Sequence, residues 1–186
     1  MNKKIIFSAG GTGGHIFPAL NLMKYFLKKK YDVLLVTDSR GNNFIEDDSK
    51  FKSYVINTGT LTNKNLFKKF FSFFLILYSI IKSIFILKKE KPDLIFGLGG
   101  YVSFPISFAS KFFNLPLIIY ENNIVMGRAN KYLSVFSTKI LLAKQVTKNF
   151  PEKYKRKTYI VGSILNKDII NFLPTNKNIN KDKFSI

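Results

Sequence analysis

Along this chain, short continuous apolar runs alternate with longer stretches of helical spacing. The runs at Lys4–Ser8, Val33–Thr37, Tyr54–Ile56, Leu94–Phe96, Leu117–Tyr120, Lys139–Leu142 and Thr158–Val161 read as strands. Several of them, such as Val33-Leu34-Leu35-Val36, show no alternation of polar and apolar residues, as expected for a parallel strand covered on both faces. The intervening spacing predicts helices over Pro18–Lys29, Asn65–Lys89, Phe104–Phe113, Gly127–Phe136 and Gln145–Phe150. Pro92 and the Asn114-Leu115-Pro116 segment mark helix-to-strand turns. The alternation predicts an α/β fold with a doubly wound, Rossmann-like parallel sheet. Ligands of such sheets bind beyond the carboxyl ends of the strands.

Two glycine-rich turns fall at those ends. Gly10-Gly11-Thr12-Gly13-Gly14-His15 follows the first strand and opens the first helix. Gly97-Leu98-Gly99-Gly100-Tyr101 stands in the same relation to the Leu94–Phe96 strand. A strand, a glycine turn and a helix start build an anion site: the backbone can approach a ligand closely, and the helix end offers free N–H groups. The spacing excludes two common relatives. The dinucleotide fingerprint, begun at Gly11, needs a third glycine where Ile16 stands, and the Walker loop, begun at Gly10, needs glycine at His15. The first loop is therefore a phosphate or sugar-nucleotide cradle of another type. Two such loops on one sheet edge can grip two phosphates or one diphosphate. A third segment, Tyr120-Glu121-Asn122-Asn123, places polar side chains directly after an apolar strand. It fits either hydrogen bonding to sugar hydroxyls or a base edge, or an N-cap cluster for the next helix.

Composition narrows the chemistry. The 186 residues suffice for one domain, or one domain with a tail, and 46% of them are hydrophobic, enough for a core. There is no cysteine, so disulfide and thiolate chemistry are excluded. One histidine and 11 scattered carboxylates predict no metal site, and no cofactor is expected. The apolar run Ile5–Ala9 ends at once in glycines, so no signal peptide is expected. Formal charge is +19, carried by 27 Lys against 3 Arg. An AT-rich genome explains part of that excess, and attraction to a polyanion is the other cause. Scarce arginine argues against nucleic acid, where bidentate contacts dominate, and leaves anionic lipid.

Residues 66–87 bear on the lipid. The uncharged run from Phe70 to Ile81 is 12 residues, short of the roughly 20 that a span needs. The stretch is nonetheless apolar around most of its circumference, with Lys68, Ser72, Ser79, Lys82 and Ser83 as a narrow polar stripe. Peripheral membrane contact is expected through Phe70, Phe73, Phe74 and Leu77, with Lys68 and Lys69 meeting anionic headgroups. An ordinary core helix is the alternative. Downstream, Asn171–Lys183 is polar and reads as a linker, and Phe184-Ser185-Ile186 resembles the start of another strand. Residues 1–166 are thus expected to form one domain, and 167–186 a linker and the beginning of a C-terminal domain.

The loop GGTGGH, the loop GLGGYVSFP and the segment YENNIVMGRANK, in that order over about residues 3–166, resemble the MurG family of bacterial peptidoglycan glycosyltransferases, at its N-terminal half. The resemblance implies a GT-B fold of two Rossmann-like domains. It implies transfer of GlcNAc from UDP-GlcNAc to the MurNAc 4-hydroxyl of undecaprenyl-pyrophosphoryl-MurNAc-pentapeptide (lipid I), giving lipid II. It places the protein peripherally on the cytoplasmic face of the bacterial inner membrane, with a C-terminal donor domain in cis or in trans. By the same resemblance His15 is the catalytic base, and Thr12, Gly13, Gly14 and Asn123 contact the donor. Gly10, Gly11, Gly99, Gly100 and Tyr101 hold the acceptor diphosphate. Asn166 stands at the donor-diphosphate position where the family has arginine, and Tyr120 where it has histidine. With Asn166 there and no donor domain, the chain alone is expected to be catalytically silent. Two further readings stay open: a membrane-anchoring subunit of a split lipid-linked GlcNAc transferase, and a non-enzymatic basic module for anionic lipid or RNA.

Overall fold

The computed structural model describes residues 2–45, 50–59, 65–145, 150 and 152–165. Its strands are β1 (Lys4–Ser8), β2 (Asp32–Thr37), β3 (Lys52–Val55), β4 (Leu94–Gly97), β5 (Leu117–Glu121), β6 (Lys139–Leu142) and β7 (Thr158–Ile160). Its helices are α1 (Gly13–Lys28), α2 (Ser39–Asn42), α3 (Leu66–Glu90), α4 (Ser103–Ala109) and α5 (Arg128–Leu133). Short 3-10 turns cover Ser110–Phe113 and Glu152–Lys157. The seven strands form one parallel sheet in the order β3-β2-β1-β4-β5-β6-β7.

The sheet is covered on both sides. On one face Ile5, Phe7, Val33 and Leu35 pack with Ile16, Ala19 and Met23 of α1. On the other, Ile6, Leu34, Ile95 and Ile119 pack with Ile86 and Leu87 of α3, Ile106 of α4 and Leu133 of α5. This is the doubly wound parallel sheet that the uninterrupted apolar runs predict. The strand order reverses at β1, which pairs with β2 on one side and β4 on the other, Ser8 facing Val36 and Gly97. The chain leaves β1 for α1 on one face and β4 for α4 on the opposite face. A crevice must open between those exits, and both glycine loops line it.

Several boundaries differ from the sequence reading. α1 begins at Gly13, not Pro18. Glycine and proline read locally as loop, but burial of Ile16 and Ala19 against the sheet holds the helix through Pro18. β3 lies two residues earlier than expected at its start, and α5 ends at Leu133 rather than Phe136. The predicted 104–113 helix divides into α4 and a 3-10 turn that ends at Asn114 in the left-handed region (φ 50°). α2 went unforeseen; Asp38 caps it by accepting the N–H of Gly41 at 2.8 Å. The helix expected over 145–150, the polar tail and Asn166 fall on residues 146–149 and 166–186, outside the described residues.

Candidate functional site

The two glycine loops meet backbone to backbone. Gly10 N–H donates to the Gly99 carbonyl at 3.0 Å. Gly100 has φ +80°, and a Cβ there would stand 2.7 Å from Gly10 Cα. No larger residue fits at that crossing. Gly11 is closed from behind by Asp38, whose carboxylate also takes the Gly41 amide and the Arg40 guanidinium. The loops are thereby fixed against each other and against β2.

His15, on the first turn of α1, lies over the second loop. A Cβ on Gly99 (φ +97°) would come within 2.9 Å of its Cε1 and Nδ1. Nδ1 is buried and, among the described residues, has no partner in hydrogen-bonding geometry. Nε2 is the ring nitrogen left available to the cleft. Burial lowers the His15 pKa below its ordinary value; the Glu121 charge and the Leu98 carbonyl oppose that pull without reversing it. The shift favours the neutral imidazole, the form able to accept a proton. Around it opens a cleft of about 420 Å³, lined by Gly99, Gly100, Tyr101, Glu121, Asn123 and the start of α5. Among the described residues, the backbone N–H groups of Thr12, Gly13, Gly14, Gly100 and Tyr101 donate to no protein acceptor. They stand at one strand edge beside the positive end of α1, an arrangement that accepts oxyanions.

The third segment resolves into two roles. Glu121 is buried, and its carboxylate is saturated from within. Oε1 accepts Asn123 N and Nδ2, and Oε2 accepts Gly127 N and Asn130 Nδ2. Glu121 therefore shapes the loop and the start of α5, the N-cap-cluster reading, and has no lone pair left for a sugar hydroxyl. Asn123 is exposed; its Nδ2 is tied to Glu121, which leaves Oδ1 toward the cleft. The structure thus gathers His15, Gly99, Gly100, Tyr101 and Asn123 in one cleft, with Thr12, Gly13 and Gly14 at the adjoining helix end. Gly10 and Gly11 lie behind them as packing positions. Two polar cleft residues, Arg128 and Asn130, had no role in the sequence reading. Asn130 is 2% exposed, and among the described residues its Oδ1 has no partner. Their one sequence signal was membership of the third motif.

Tyr120 has a defined job. Its hydroxyl accepts Ile164 N–H at 3.3 Å and lies 3.2 Å from both the Gly162 carbonyl and Asn122 Oδ1, to either of which it can donate. It ties the segment after β7 to the end of β5.

α3 is amphipathic in an inverted sense. Ser72, Ser79 and Ser83, part of the narrow polar stripe, are buried against the domain. Ser79 Oγ lies 2.9 Å from the Asn57 carbonyl, and Lys82 donates to the Val55 carbonyl. Small side chains there admit close approach: a Cβ on Gly59 would collide with the Ser72 backbone. The opposite face carries Phe67, Phe70, Phe71, Phe74, Tyr78 and Phe85, all at least half exposed, with Phe73 and Leu77 close behind. Lys68 and Lys69 are exposed beside them. By length and composition alone, Phe67–Glu90 could cross a membrane. Its serine face and the buried Ile86 and Leu87 instead bind it along the domain, so the aromatic face is left on the surface.

The sequence profile of the glycosyltransferase family 28 N-terminal domain matches residues 5–142. The UDP-N-acetylglucosamine–N-acetylmuramyl-(pentapeptide) pyrophosphoryl-undecaprenol N-acetylglucosamine transferase of Pelagibacter ubique is 34% identical over 179 residues, covering 96% of this chain and 49% of the relative. The enzyme of the same name from Rickettsia canadensis is 37% identical over 169 residues, covering 91% and 46%. The crystal structure of Acinetobacter baumannii MurG superposes with a TM-score of 0.69 at 30% identity, covering 80% of this chain and 43% of that one. The chain spans about half the length of the curated relatives it matches.

Proposed function

We propose, on the premise that the chain belongs to glycosyltransferase family 28 and carries the Rossmann-like N-terminal domain of its GT-B fold, that it is the acceptor-binding half of a GlcNAc transferase of peptidoglycan synthesis. The donor is UDP-GlcNAc and the acceptor undecaprenyl-pyrophosphoryl-MurNAc-pentapeptide, as the relatives' names indicate for those enzymes. The observation that carries this reading is the convergence of both glycine loops on His15. The free N–H groups of both loops hold the acceptor diphosphate, and Thr12, Gly13 and Gly14, where the two substrates meet, also face the donor together with Asn123. Nε2 of His15 takes the proton of the acceptor hydroxyl as that oxygen attacks the anomeric carbon. The bond from the anomeric carbon to the UDP oxygen breaks, UDP leaves, and configuration inverts. Donor contacts come mainly from a second domain, in cis or in trans.

The aromatic face of α3 seats the domain on the cytoplasmic leaflet of the inner membrane as a peripheral protein, where the lipid-linked acceptor resides. Phe70, Phe73, Phe74 and Leu77 enter the acyl boundary, and Lys68 and Lys69 meet lipid phosphates.

The test is GlcNAc transfer from labelled UDP-GlcNAc to a lipid I analogue. It is run with this chain alone and with this chain fused to the donor half of the Pelagibacter relative. Transfer by the fusion, none by the chain alone, and a loss on the order of 10²–10⁴-fold in kcat for His15→Ala in the fusion support the reading. Full turnover by the His15→Ala fusion at saturating substrates would remove His15 from the mechanism.

A further inference from the structure

The chain has three arginines against 27 lysines. Arg40 directs Nε and Nη2 onto Asp38 Oδ2, and Arg156 lies in the 3-10 turn Glu152–Lys157. Arg128 is the one that lines the His15 cleft. It is exposed, and among the described residues its guanidinium meets no carboxylate and no carbonyl.

Its surroundings explain what that charge does. The other formal charge lining the cleft is Glu121, buried at 1% exposure. The field of Glu121 reaches His15 and favours the imidazolium. It must equally oppose any anion drawn toward the loops. The backbone N–H groups there are dipoles and do not cancel a full charge. The same carboxylate fixes the backbone that carries the arginine, because its Oε2 accepts both Gly127 N–H and Asn130 Nδ2, immediately before and two residues after Arg128. A saturated anion thus anchors the root of an unpaired cation at the cleft mouth.

We propose that Arg128 is the cation that makes this cleft accept an anion, by a forked contact to the diphosphate of a lipid-linked acceptor. The proposal rests on reading the cleft as the acceptor site. It adds the residue that offsets Glu121 and selects diphosphate. Guanidinium suits the task because its planar N–H pairs engage two oxygens at once, whereas a lysine ammonium acts as a point charge.

The experiment is calorimetric titration of the 186-residue chain with geranyl diphosphate, for the unaltered protein, Arg128→Gln and Arg128→Lys. Thermal unfolding of each protein checks that it is folded. The expected result is measurable binding by the unaltered chain, roughly 10- to 100-fold weaker binding by Arg128→Gln with a flatter salt dependence, and partial recovery by Arg128→Lys. Unchanged affinity in Arg128→Gln overturns the proposal and leaves the acceptor-site reading standing. Full recovery in Arg128→Lys overturns the forked contact. Failure of the unaltered chain to bind the diphosphate at all overturns both.

Discussion

The imidazole of His15 rests on Gly99, so close that a single added methyl at residue 99 would stand 2.9 Å from its Cε1 and Nδ1. One loop's candidate base is therefore positioned by the other loop's missing side chain. Gly14, in contrast, has open space where a Cβ would be, and it sits in helix α1 with no positive φ.

That contrast separates glycines kept for folding from glycines kept for a ligand. Gly100→Ala is expected to destabilise the domain by about 1–3 kcal/mol through left-handed backbone strain and collision with Gly10. Gly14→Ala should leave stability unchanged, or raise it by up to about 1 kcal/mol, since alanine favours the first turn of α1 over glycine. It should also weaken diphosphate binding, because the methyl would occupy the approach to the free N–H groups. Urea unfolding of the two variants, with titration of geranyl diphosphate into the second, checks both.

A second expectation concerns acid. At the far end of the sheet Glu90 accepts hydrogen bonds from Lys52, Tyr54 and Lys4. Burial alone would raise its pKa, but those three donors outweigh it and hold the carboxyl at about 2. A carboxylate depressed in the folded state stabilises above its unfolded pKa near 4.5 and loses that contribution as pH falls toward 2. His15, also depressed, adds a smaller loss beginning below its ordinary value of 6.5, since it must charge while buried. With the lysine partners partly in solvent, Glu90 is worth about 1–2 kcal/mol. Stability measured from pH 7 to pH 2.5 should fall in two stages, and Glu90→Gln should flatten the lower one.

The α3 face makes a third. Replacing Phe73, Phe74 and Leu77 by Ser is expected to weaken sedimentation with anionic vesicles even at low salt, since apolar burial is unscreened. Replacing Lys68 and Lys69 by Gln should flatten the salt dependence, each lysine contributing about 1 kcal/mol near the surface. Because all five side chains are exposed, the variants should stay folded. Indifference of the unaltered chain to such vesicles would leave the aromatic face without lipid.

Most of the fold was legible because the apolar runs encode strands buried on two faces, as in a doubly wound sheet. The order reversal at β1 then placed the glycine loops at one crevice. Local propensity misled where tertiary contacts decide. Pro18 reads as a helix start but sits inside α1, and the serines of the narrow α3 stripe turn out to face the domain, where they admit a neighbouring backbone. The glycines and His15 were legible from their density and position. Asn130 and Arg128 were not, because their roles depend on Glu121 turning inward, and no spacing rule distinguishes a carboxylate that meets ligand from one saturated by its own loop.

The central claim is that an acceptor diphosphate sits between the two glycine loops. The most direct measurement is the ¹H–¹⁵N amide spectrum of the uniformly labelled chain during titration with a soluble diphosphate-linked MurNAc-peptide. The expected result is a saturable shift of the Gly13, Gly14, Gly100 and Tyr101 amides, whose N–H groups have no protein acceptor, while the Glu90 end of the sheet stays still. Shifts spread over exposed lysines with those four amides unmoved would contradict the account.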